Sequence, residues 1–277
     1  MCIKASVGQN GKNLSEDVKT VQLLLNLNSA AILPQPPPLN ITGKMDEPTL
    51  SAIAQFQRDI VGAPVPDSRV DPGGATLLAL QNGMPADFSQ DKVAGIMINA
   101  TADRVRRYYT FLVSQMKDNG IDTPLRMAHF LAQLGHESGE FQFSEEIASG
   151  QAYEGRVDLG NTRTGDGVRF KGRGLIQVTG RANYTSYGKD REIDYTGDDR
   201  TLLATDPKIA VDVSCWFWVT RGINALADKD DVLKVSVKIN GRNKKTGLPN
   251  GFDDRKAKLA RAKFFLKLNQ NDPQPQP

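Results

Sequence analysis

The sequence predicts an all-α (mainly α-helical) protein of two domains, and three features indicate this. Most segments repeat apolar residues at helical spacing. The segment from Asn82 to Asp87 combines Asn-Gly with a proline, which is typical of a junction. Residues 1–90 hold 6 basic and 8 acidic residues, whereas residues 91–277 hold 29 and 24. We therefore predict a small domain at residues 1–83, a linker at 84–95, a larger domain at 96–269 and a disordered tail at 270–277.

The small domain is predicted to be a bundle of three helices. Residues 14–27 repeat apolar side chains at helical spacing, with Ser15 as the predicted N-cap. A second helix is expected to begin near Pro48, because proline is favoured in the first helical turn. A third helix covers residues 75–80. The prolines within residues 34–38 predict an extended loop between the first two helices.

The larger domain is predicted to contain five helices and one long loop. Apolar periodicity places the helices at residues 105–116, 123–137, 207–219, 230–240 and 253–268. Thr123-Pro124 has the residue types of an N-cap followed by a first helical position. The glycine-rich residues 149–174 favour an ordered loop with a small hairpin. The aromatic residues 216–218 lie in an apolar run, which indicates core packing rather than a sugar-stacking surface.

Composition and motifs exclude several kinds of site. Cys2 and Cys215 cannot form a disulfide framework, and the apolar neighbours of Cys215 predict a buried, unreactive thiol. His136-Glu137 begins like the zinc motif H-E-x-x-H, but Glu140 occupies the closing position. No G-x-x-x-x-G-K-[ST] motif for phosphate binding occurs. We therefore expect no metal, no cofactor and no nucleic-acid partner.

The sequence predicts a protein that is made in a cytoplasm and does not cross a membrane. No apolar stretch reaches 18 residues, and residues 1–13 lack the apolar segment of a signal peptide. The last predicted helix carries a basic face. The favoured interpretation is a solvated face on a helix packed against the core, and weak contact with anionic lipid is the alternative. The basic residues are Arg255, Lys256, Lys258, Arg261, Lys263 and Lys267.

Two glutamates are candidates for the cleavage of a glycosidic bond. This chemistry needs one carboxyl group that donates a proton and another that activates water. Glu137 ends an apolar helix, and Glu146 follows it in the same segment. On one continuous helix the two would lie on opposite faces, about 13.5 Å apart along the axis, too far to cooperate. Ser138-Gly139 therefore predicts a break that brings Glu146 across a cleft from Glu137.

Both predicted domains resemble known families. The larger domain contains, in order, GHESGEF followed by EE, then YEGRVDLGNTRTGDGVRFKGRGLIQVTGRANY, then VKINGRNKKTGLPNGFDDR. Together these motifs resemble glycoside hydrolase family 19, which contains chitinases and the lysozyme-like endolysins of bacteriophages. The small domain contains VQLLLN, TLSAIAQFQ and VDPGGATLLAL, with a weak repeat of a turn that leads into a short helix. These segments resemble the peptidoglycan-binding domain of cell-wall hydrolases. The resemblance implies a lysozyme-like catalytic domain at residues 96–269.

The resemblance to family 19 also implies roles for individual residues. Glu137 matches the general acid, and Glu146 matches the base, with the adjacent Glu145 as the alternative. Thr179 matches the hydroxyl residue that helps to hold the attacking water, a position at which the chitinases usually have serine. The residues that match the lining of the sugar cleft are Gln177, Asn240 and Tyr184. Amide side chains suit such a cleft, because they both donate and accept hydrogen bonds.

The implied function is that of an endolysin that hydrolyses the β-1,4 bonds of bacterial peptidoglycan by an inverting mechanism. Such a protein would be a monomer that waits in the host cytoplasm until a membrane pore releases it to the wall. Three alternatives remain open: a chitinase, a lytic transglycosylase, and a non-catalytic wall-binding protein of the virion. The host and the glycan linkage that is cut also remain open.

Overall fold

The computed structural model describes residues 2–268 and confirms the predicted fold class. In that range it contains thirteen α-helices and one two-stranded sheet. The contacts divide the described chain into a first unit, residues 2–99 with 260–268, and a second unit, residues 100–259. None of the helices in residues 2–268 is both long enough and apolar enough to span a bilayer. The tail predicted to be disordered, residues 270–277, lies outside the described residues.

The first unit contains four helices, a short sheet and the end of the last helix. Its elements are β1 (Val7–Gly8), α1 (Ser15–Asn28), α2 (Glu47–Phe56), β2 (Arg69–Val70), α3 (Ala75–Gly83) and α4 (Gln90–Ile96). The two strands are antiparallel, with Val7 opposite Val70. Three of the helices were predicted. The N-cap prediction was wrong: Ser15 is already helical, because Leu14 has extended backbone and its carbonyl accepts the N–H of Val18 at 2.9 Å.

The weak internal repeat corresponds to two buried glutamines with matching contacts. The Gln22 amide donates to the hydroxyl of Thr49 at 3.1 Å, and its oxygen accepts backbone N–H groups from the turn before α2. The Gln57 amide likewise donates to the hydroxyl of Thr76 at 3.1 Å, and its oxygen accepts the N–H of Ser68, in the segment that leads through β2 to α3. A buried amide is stable only when such bonds are made. Each glutamine therefore holds the segment that leads into the next helix.

Residues 84–95, which were predicted to be a linker, contain most of α4, and this helix packs in the first unit. An added Cβ on Gly95 would lie 2.3 Å from the Phe265 ring, so glycine permits this close packing. The Arg261 guanidinium donates to the carbonyls of Gly95 and Cys2, at 2.5 and 3.0 Å. The last residues of the chain's final helix therefore belong to the core of the first unit. Sequence reasoning had assigned them to the larger domain.

The second unit is built around a buried helix, α10. Its elements are α5 (Ala102–Asp118), α6 (Pro124–Glu137), α7 (Asp166–Arg169), α8 (Arg181–Arg191), α9 (Leu202–Thr205), α10 (Pro207–Thr220), α11 (Asn224–Ala227), α12 (Val232–Asn240) and the start of α13 (Phe252–Phe265). Trp218 on α10 is fully buried and packs edge-to-face on Phe130 of α6, with ring centroids 5.2 Å apart. Burial of Cys215 raises the pKa of its thiol well above the ordinary value. The predicted core packing of the aromatic residues 216–218 and the predicted burial of Cys215 are confirmed.

Candidate active site

Glu137 is the last residue of α6, and the helix gives it a defined position. Thr123 caps the helix by accepting the N–H of Arg126, and the apolar face of α6 is buried in the core. The Glu137 side chain is 14% exposed. Its Oε1 accepts a hydrogen bond from Nη2 of Arg255, whose own side chain is completely buried. This bond engages Oε1, so Oε2 is the oxygen that remains for a substrate.

Arg255 connects Glu137 to Gln133 on the same helix and, through Asn250, to the end of α12. Its Nη1 donates to Oε1 of Gln133, and its Nε donates to the carbonyl of Asn250 at 3.0 Å. The backbone N–H of Asn250 in turn donates to Oδ1 of Asn240, at the end of α12, at 3.0 Å. A planar guanidinium with several fixed donors suits this role. Asn240 is therefore linked to Glu137 through Asn250 and Arg255, although its predicted role was contact with sugar.

The chain reverses direction directly after Glu137, as Ser138-Gly139 had predicted. The Ser138 hydroxyl donates to the carbonyl of Leu134 at 2.6 Å and accepts the N–H of Phe141 at 2.9 Å. Gly139, Glu140 and Phe141 all have left-handed backbone, with φ of 57°, 57° and 65°. Such conformations cost about 1–3 kcal/mol each in residues other than glycine, so tertiary contacts must hold them. One such contact is the ion pair of Glu140 with Lys258 at 2.6 Å.

Glu146 lies in the loop that follows, and neutral groups hold its carboxylate. The Tyr153 hydroxyl donates to Oε1 at 2.9 Å, and the backbone N–H of Gly172 donates to Oε2 at 3.1 Å. The N–H of Glu146 also donates to the Gly172 carbonyl at 2.9 Å. Burial and the adjacent carboxylate raise the pKa of Tyr153 to about 12. Tyr153 therefore stays protonated and remains a donor at neutral pH.

Glu145 differs from its neighbour Glu146 in that charged side chains contact its carboxylate. Its Oε1 accepts from Nε and Nη2 of Arg173, at 2.9 and 2.8 Å, and lies 3.6 Å from Nζ of Lys171. The Arg173 side chain is 6% exposed and that of Glu145 is 42% exposed, so a buried arginine meets a carboxylate at the surface. Arg173 pairs with Glu145, and Arg181 pairs with the buried Asp166. Glu146 thus has neutral hydrogen-bond donors, whereas Glu145 is committed to an ion pair.

Gln177 lies beside Glu146, and Gly172 makes this possible. A Cβ on Gly172 would lie 2.9 Å from Oε1 of Gln177 and 3.3 Å from Oε2 of Glu146. Gln177 itself has left-handed backbone, with φ of 59°, and its Nε2 donates to the carbonyl of Gly174 at 3.1 Å. The Thr179 hydroxyl donates to the carbonyl of Gln177 at 2.9 Å, which leaves its lone pairs for other donors. The predicted residues Glu146, Gln177 and Thr179 are therefore brought together. Within residues 149–174, where a small hairpin was expected, the structure has short helical turns and α7, and isolated bridges pair Arg173 with Glu145 and with Val178.

Tyr184 does not have the position that its predicted role requires. Its side chain is 0% exposed, so it cannot contact a sugar in this structure. Its hydroxyl accepts from Nη1 of Arg173 at 3.0 Å and donates to the carbonyl of Lys171 at 2.8 Å. We therefore correct its role from substrate binding to support of Arg173 and, through it, of Glu145.

Two groups at the site were missed by sequence reasoning. Tyr153 stood in a quoted motif but had no assigned role, and Arg255 was counted only among the basic residues of the last helix. The motif FDDR was a signal for Arg255, since it ends one of the segments that resemble family 19. The structure also changes the interpretation of that basic face. Arg255, Lys258 and Arg261 all bond to other parts of the protein, so these three are not presented to lipid.

The chain is similar to known proteins in sequence and in fold. The glycoside hydrolase family 19 model, described as chitinase class I, matches residues 125–237. A glycosyl hydrolase family 19 domain-containing protein of Haemophilus influenzae is 31% identical over 199 residues, which cover 61% of this chain and 92% of that protein. An endochitinase of Arabidopsis thaliana is 36% identical over 92 residues, which cover 33% of this chain and 31% of the plant protein. Chitinase C of Streptomyces griseus has a similar fold, with a TM-score of 0.54 and 20% identity over 75% of this chain and 84% of that one.

Proposed function

Because this chain belongs to glycoside hydrolase family 19, we propose that it hydrolyses the β-1,4 bonds of bacterial peptidoglycan by an inverting mechanism. The observation that carries this proposal is the different setting of the neighbours Glu145 and Glu146, together with the fixed position of Glu137. The Glu146 carboxylate is held by the neutral donors Tyr153 and Gly172, whereas Glu145 is held in an ion pair with Arg173. Glu137 is paired with the buried Arg255, which fixes the position of its carboxyl group. One oriented acid and one oriented base are what inverting hydrolysis needs.

In the proposed reaction Glu137 is the acid and Glu146 is the base. Glu137 transfers its proton to the glycosidic oxygen as the bond from that oxygen to the anomeric carbon breaks. Glu146 takes a proton from a water molecule, whose oxygen forms the new bond to the anomeric carbon from the opposite face. Tyr153 and Gly172 keep the Glu146 carboxylate in place by donating to its two oxygens. Gln177 and Thr179, next to Glu146, are the groups proposed to hold the water.

A lytic transglycosylase is the first alternative, and it differs in its need for water. Such an enzyme closes the sugar on itself and leaves an anhydro end, so it has no use for groups that position a nucleophilic water. The Gln177 amide lies against Gly172, as the Glu146 carboxylate does, and the Thr179 hydroxyl is bonded to the Gln177 carbonyl. Their presence supports hydrolysis. A non-catalytic wall-binding protein of the virion is disfavoured for the same reason, because it needs neither the water site nor an oriented acid.

Chitin is the second candidate substrate, and the relatives favour it by their names, since several are endochitinases or chitinases. Peptidoglycan is favoured by the first unit. There the paired contacts of Gln22 with Thr49 and of Gln57 with Thr76 reproduce the repeat on which the resemblance to a peptidoglycan-binding domain rests. We propose that this unit binds the wall and that the protein is a monomeric endolysin. In this proposal it is stored in the host cytoplasm and reaches the wall through a membrane pore.

Mass spectrometry of digested substrates tests the proposed reaction. Purified peptidoglycan and chitin are each incubated with the wild-type protein and with Glu137→Gln. Peptidoglycan fragments with reducing ends, absent with the variant, are expected. Anhydro ends, which are lighter by one water, would instead identify a transglycosylase. Cleavage of chitin without cleavage of peptidoglycan would identify a chitinase, and the absence of any product would contradict an enzymatic role.

Separation of the two units tests the proposed wall-binding function. Deletion of residues 1–83 alone would expose Phe264 and Phe265, which are buried and belong to the first unit. The fragment to use is therefore residues 100–259. It is expected to cleave short soluble glycans but to sediment less with purified sacculi than the full chain, because tethering concentrates an enzyme on an insoluble substrate. Equal sedimentation of the two proteins would contradict a binding function for the first unit.

A further inference from the structure

A groove of about 560 Å³ in the second unit is lined mainly by cations. Six basic side chains line it, and in the part of the chain that the structure describes its one acidic lining residue is Asp166. The basic residues are Arg163, Arg169, Lys171, Arg173, Arg181 and Arg200. The site described above uses Lys171 and Arg173 only to hold the loop of Glu145 and Glu146. The charge of this groove is therefore not explained by the residues assigned to the reaction.

The positive charge of the groove is only partly neutralised by the protein. Arg181 forms a bidentate ion pair with Asp166, and Arg173 pairs with Glu145. Arg200 lies 3.2 Å from Asp198, but that carboxylate is fully exposed, and exposed pairs contribute little. The carboxylate of Asp194 also lies near Arg169, and Glu154 accepts the backbone N–H groups of Gly165 and Gly167. Among the described side chains that line the groove itself, six are cations and one is an acid, so positive charge predominates on its surface.

Arg163 and Arg169 carry the clearest part of this excess. Among residues 2–268, neither has a carboxylate within ion-pair distance. The backbone N–H of Arg163 donates to Asp166, and Nε of Arg169 donates to the carbonyl of Thr196, at 3.0 Å in both cases. Arg169 contributes to a lowered pKa of Asp194, after the larger effects of hydrogen bonds from Thr196. Both arginines are exposed, so their guanidinium groups can reach a ligand.

The groove begins at the proposed base. Lys171 donates from Nζ to the carbonyl of Glu146 at 3.0 Å, and Arg173 is bonded to Glu145. Gly172, between them, donates its N–H to the Glu146 carboxylate. A glycan strand whose scissile bond lies at Glu146 would therefore place substituents of the adjoining sugars near the cations. Chitin carries no ionised group on its sugars, whereas the peptide stems of peptidoglycan end in carboxylates.

From this arrangement we infer that the groove binds carboxylates of the peptide stems on the peptidoglycan strand, with Arg163 and Arg169 as the groups that determine this preference. The inference rests on the proposed function, since it assumes that peptidoglycan is the substrate. Arginine suits the task, because its planar fork matches the two oxygens of a carboxylate. The ion pair of Arg181 with Asp166 fixes one wall of the groove. Asp166 is buried and also accepts the backbone N–H of Arg163, so it holds that residue in position.

The experiment compares one substrate in two charge states. Soluble uncross-linked peptidoglycan strands are used as isolated and after carbodiimide-coupled amidation of their carboxyl groups, which keeps the peptides but removes their negative charge. The wild-type enzyme is expected to have a higher kcat/KM on the native strands. In the full-length double variant Arg163→Glu/Arg169→Glu, the ratio of the two kcat/KM values is expected to fall by about tenfold. Added salt should reduce the wild-type ratio as well.

The matched control changes the same charge at another place in the second unit. Arg104 and Arg106 lie in the first turns of α5 and do not line the groove. Arg104→Glu/Arg106→Glu should leave the ratio of the two kcat/KM values unchanged, because neither residue lines the groove. The helix should tolerate both changes, since acidic residues are accepted near a helix N-terminus. The single variant Arg163→Gln, at an exposed side chain, should lower the ratio in the same direction and guards against misfolding of the double variant. Melting curves are recorded for all four proteins.

Two results would overturn the inference, and they differ in what they say about the proposed function. If the wild-type enzyme cleaves native and amidated strands with equal kcat/KM, or if the groove variants and the control change the ratio equally, the groove does not bind stem carboxylates. The assignment of peptidoglycan as substrate would then survive. If neither kind of strand is cleaved while chitin fragments are, the proposed function fails, and the inference fails with it.

Discussion

Hydrogen bonds orient both Glu137 and Glu146, but the two sets of donors differ in how far they lie from the glutamate in sequence. The donor to Glu137 is a charged guanidinium 118 residues away, on α13. The donors to Glu146 are a phenol and a backbone N–H, which lie 7 and 26 residues away in the same loop region. The first position depends on the packing of helices, and the second depends on the folding of a loop.

This difference indicates that the two carboxyl groups can be disturbed separately. A change in the contact of α6 with α13 should affect the acid and also the stability of the second unit, because Arg255 is completely buried. A change in the loop should affect the base and leave the helical core intact. Substitutions at each place therefore test whether the acid and base roles are assigned correctly.

The largest effect is expected for Glu137→Gln. The amide cannot transfer a proton, so kcat on soluble glycan fragments should fall by at least about 100-fold. The variant should also lose about 1–3 kcal/mol of unfolding free energy, since buried Arg255 loses its charged partner. Calorimetry and turnover are measured on the same preparation. A kcat within about tenfold of wild type would remove Glu137 from the mechanism.

The next prediction distinguishes the neighbours Glu145 and Glu146 by their effects on turnover and on stability. Glu146→Gln should lower kcat by about 100-fold or more, because no base remains, while the melting temperature changes little. Glu145→Gln should do the reverse, since it leaves the buried Arg173 without its ion-pair partner but does not touch the reaction. Each variant thus serves as the control for the other. If Glu145→Gln alone abolished turnover, the register of the base would be wrong by one residue.

A moderate effect is expected when Tyr153 loses its hydroxyl. Tyr153→Phe should lower kcat about fivefold with little change in KM, the equivalent of one hydrogen bond. Tyr187→Phe is the control, because its hydroxyl bonds to Asp212, away from Glu146. The pKa of Tyr153 is raised from 10.0 to about 12, so its contribution to stability is complete below pH 10 and is lost as the pH rises towards 12. A difference titration of wild type against Tyr153→Phe that shows ionisation near pH 10 would contradict this environment.

The smallest effect is expected for Gly172→Ala. The added methyl would lie 2.9 Å from Oε1 of Gln177, so that side chain must move, and kcat should fall about threefold. Gly197→Ala is the matched control, because its Cβ would meet the nearest atom, a carboxylate oxygen of Asp194, at an ordinary 3.7 Å. Neither glycine has φ in the left-handed region, so backbone strain does not enter the comparison. Equal kcat values for the two variants would show that Gln177 has no part in turnover.

Local sequence signals predicted most of the helices and the reversal between the two carboxylates. Thr123-Pro124 marked the start of α6, and Ser138-Gly139 marked its end, because capping and left-handed backbone depend on the residue types themselves. The residues Glu137, Glu146, Gln177 and Thr179 came from resemblance to a family, and the structure brings the last three together. Spacing alone did not distinguish Glu146 from Glu145. The proposed choice of Glu146 rests on the ion pair of Arg173 with Glu145, which is a tertiary contact.

By itself the sequence determined the helical class, the order of most elements and the types of group available for acid and base chemistry. Tertiary structure decided which of these groups meet. It paired Arg255 with Glu137, placed Tyr153 on Glu146, buried Tyr184 and assigned the end of α13 to the first unit. The physical reason is that helix propensity and capping act within a few residues. The partner of a side chain, by contrast, is set by the packing of segments that are distant in sequence.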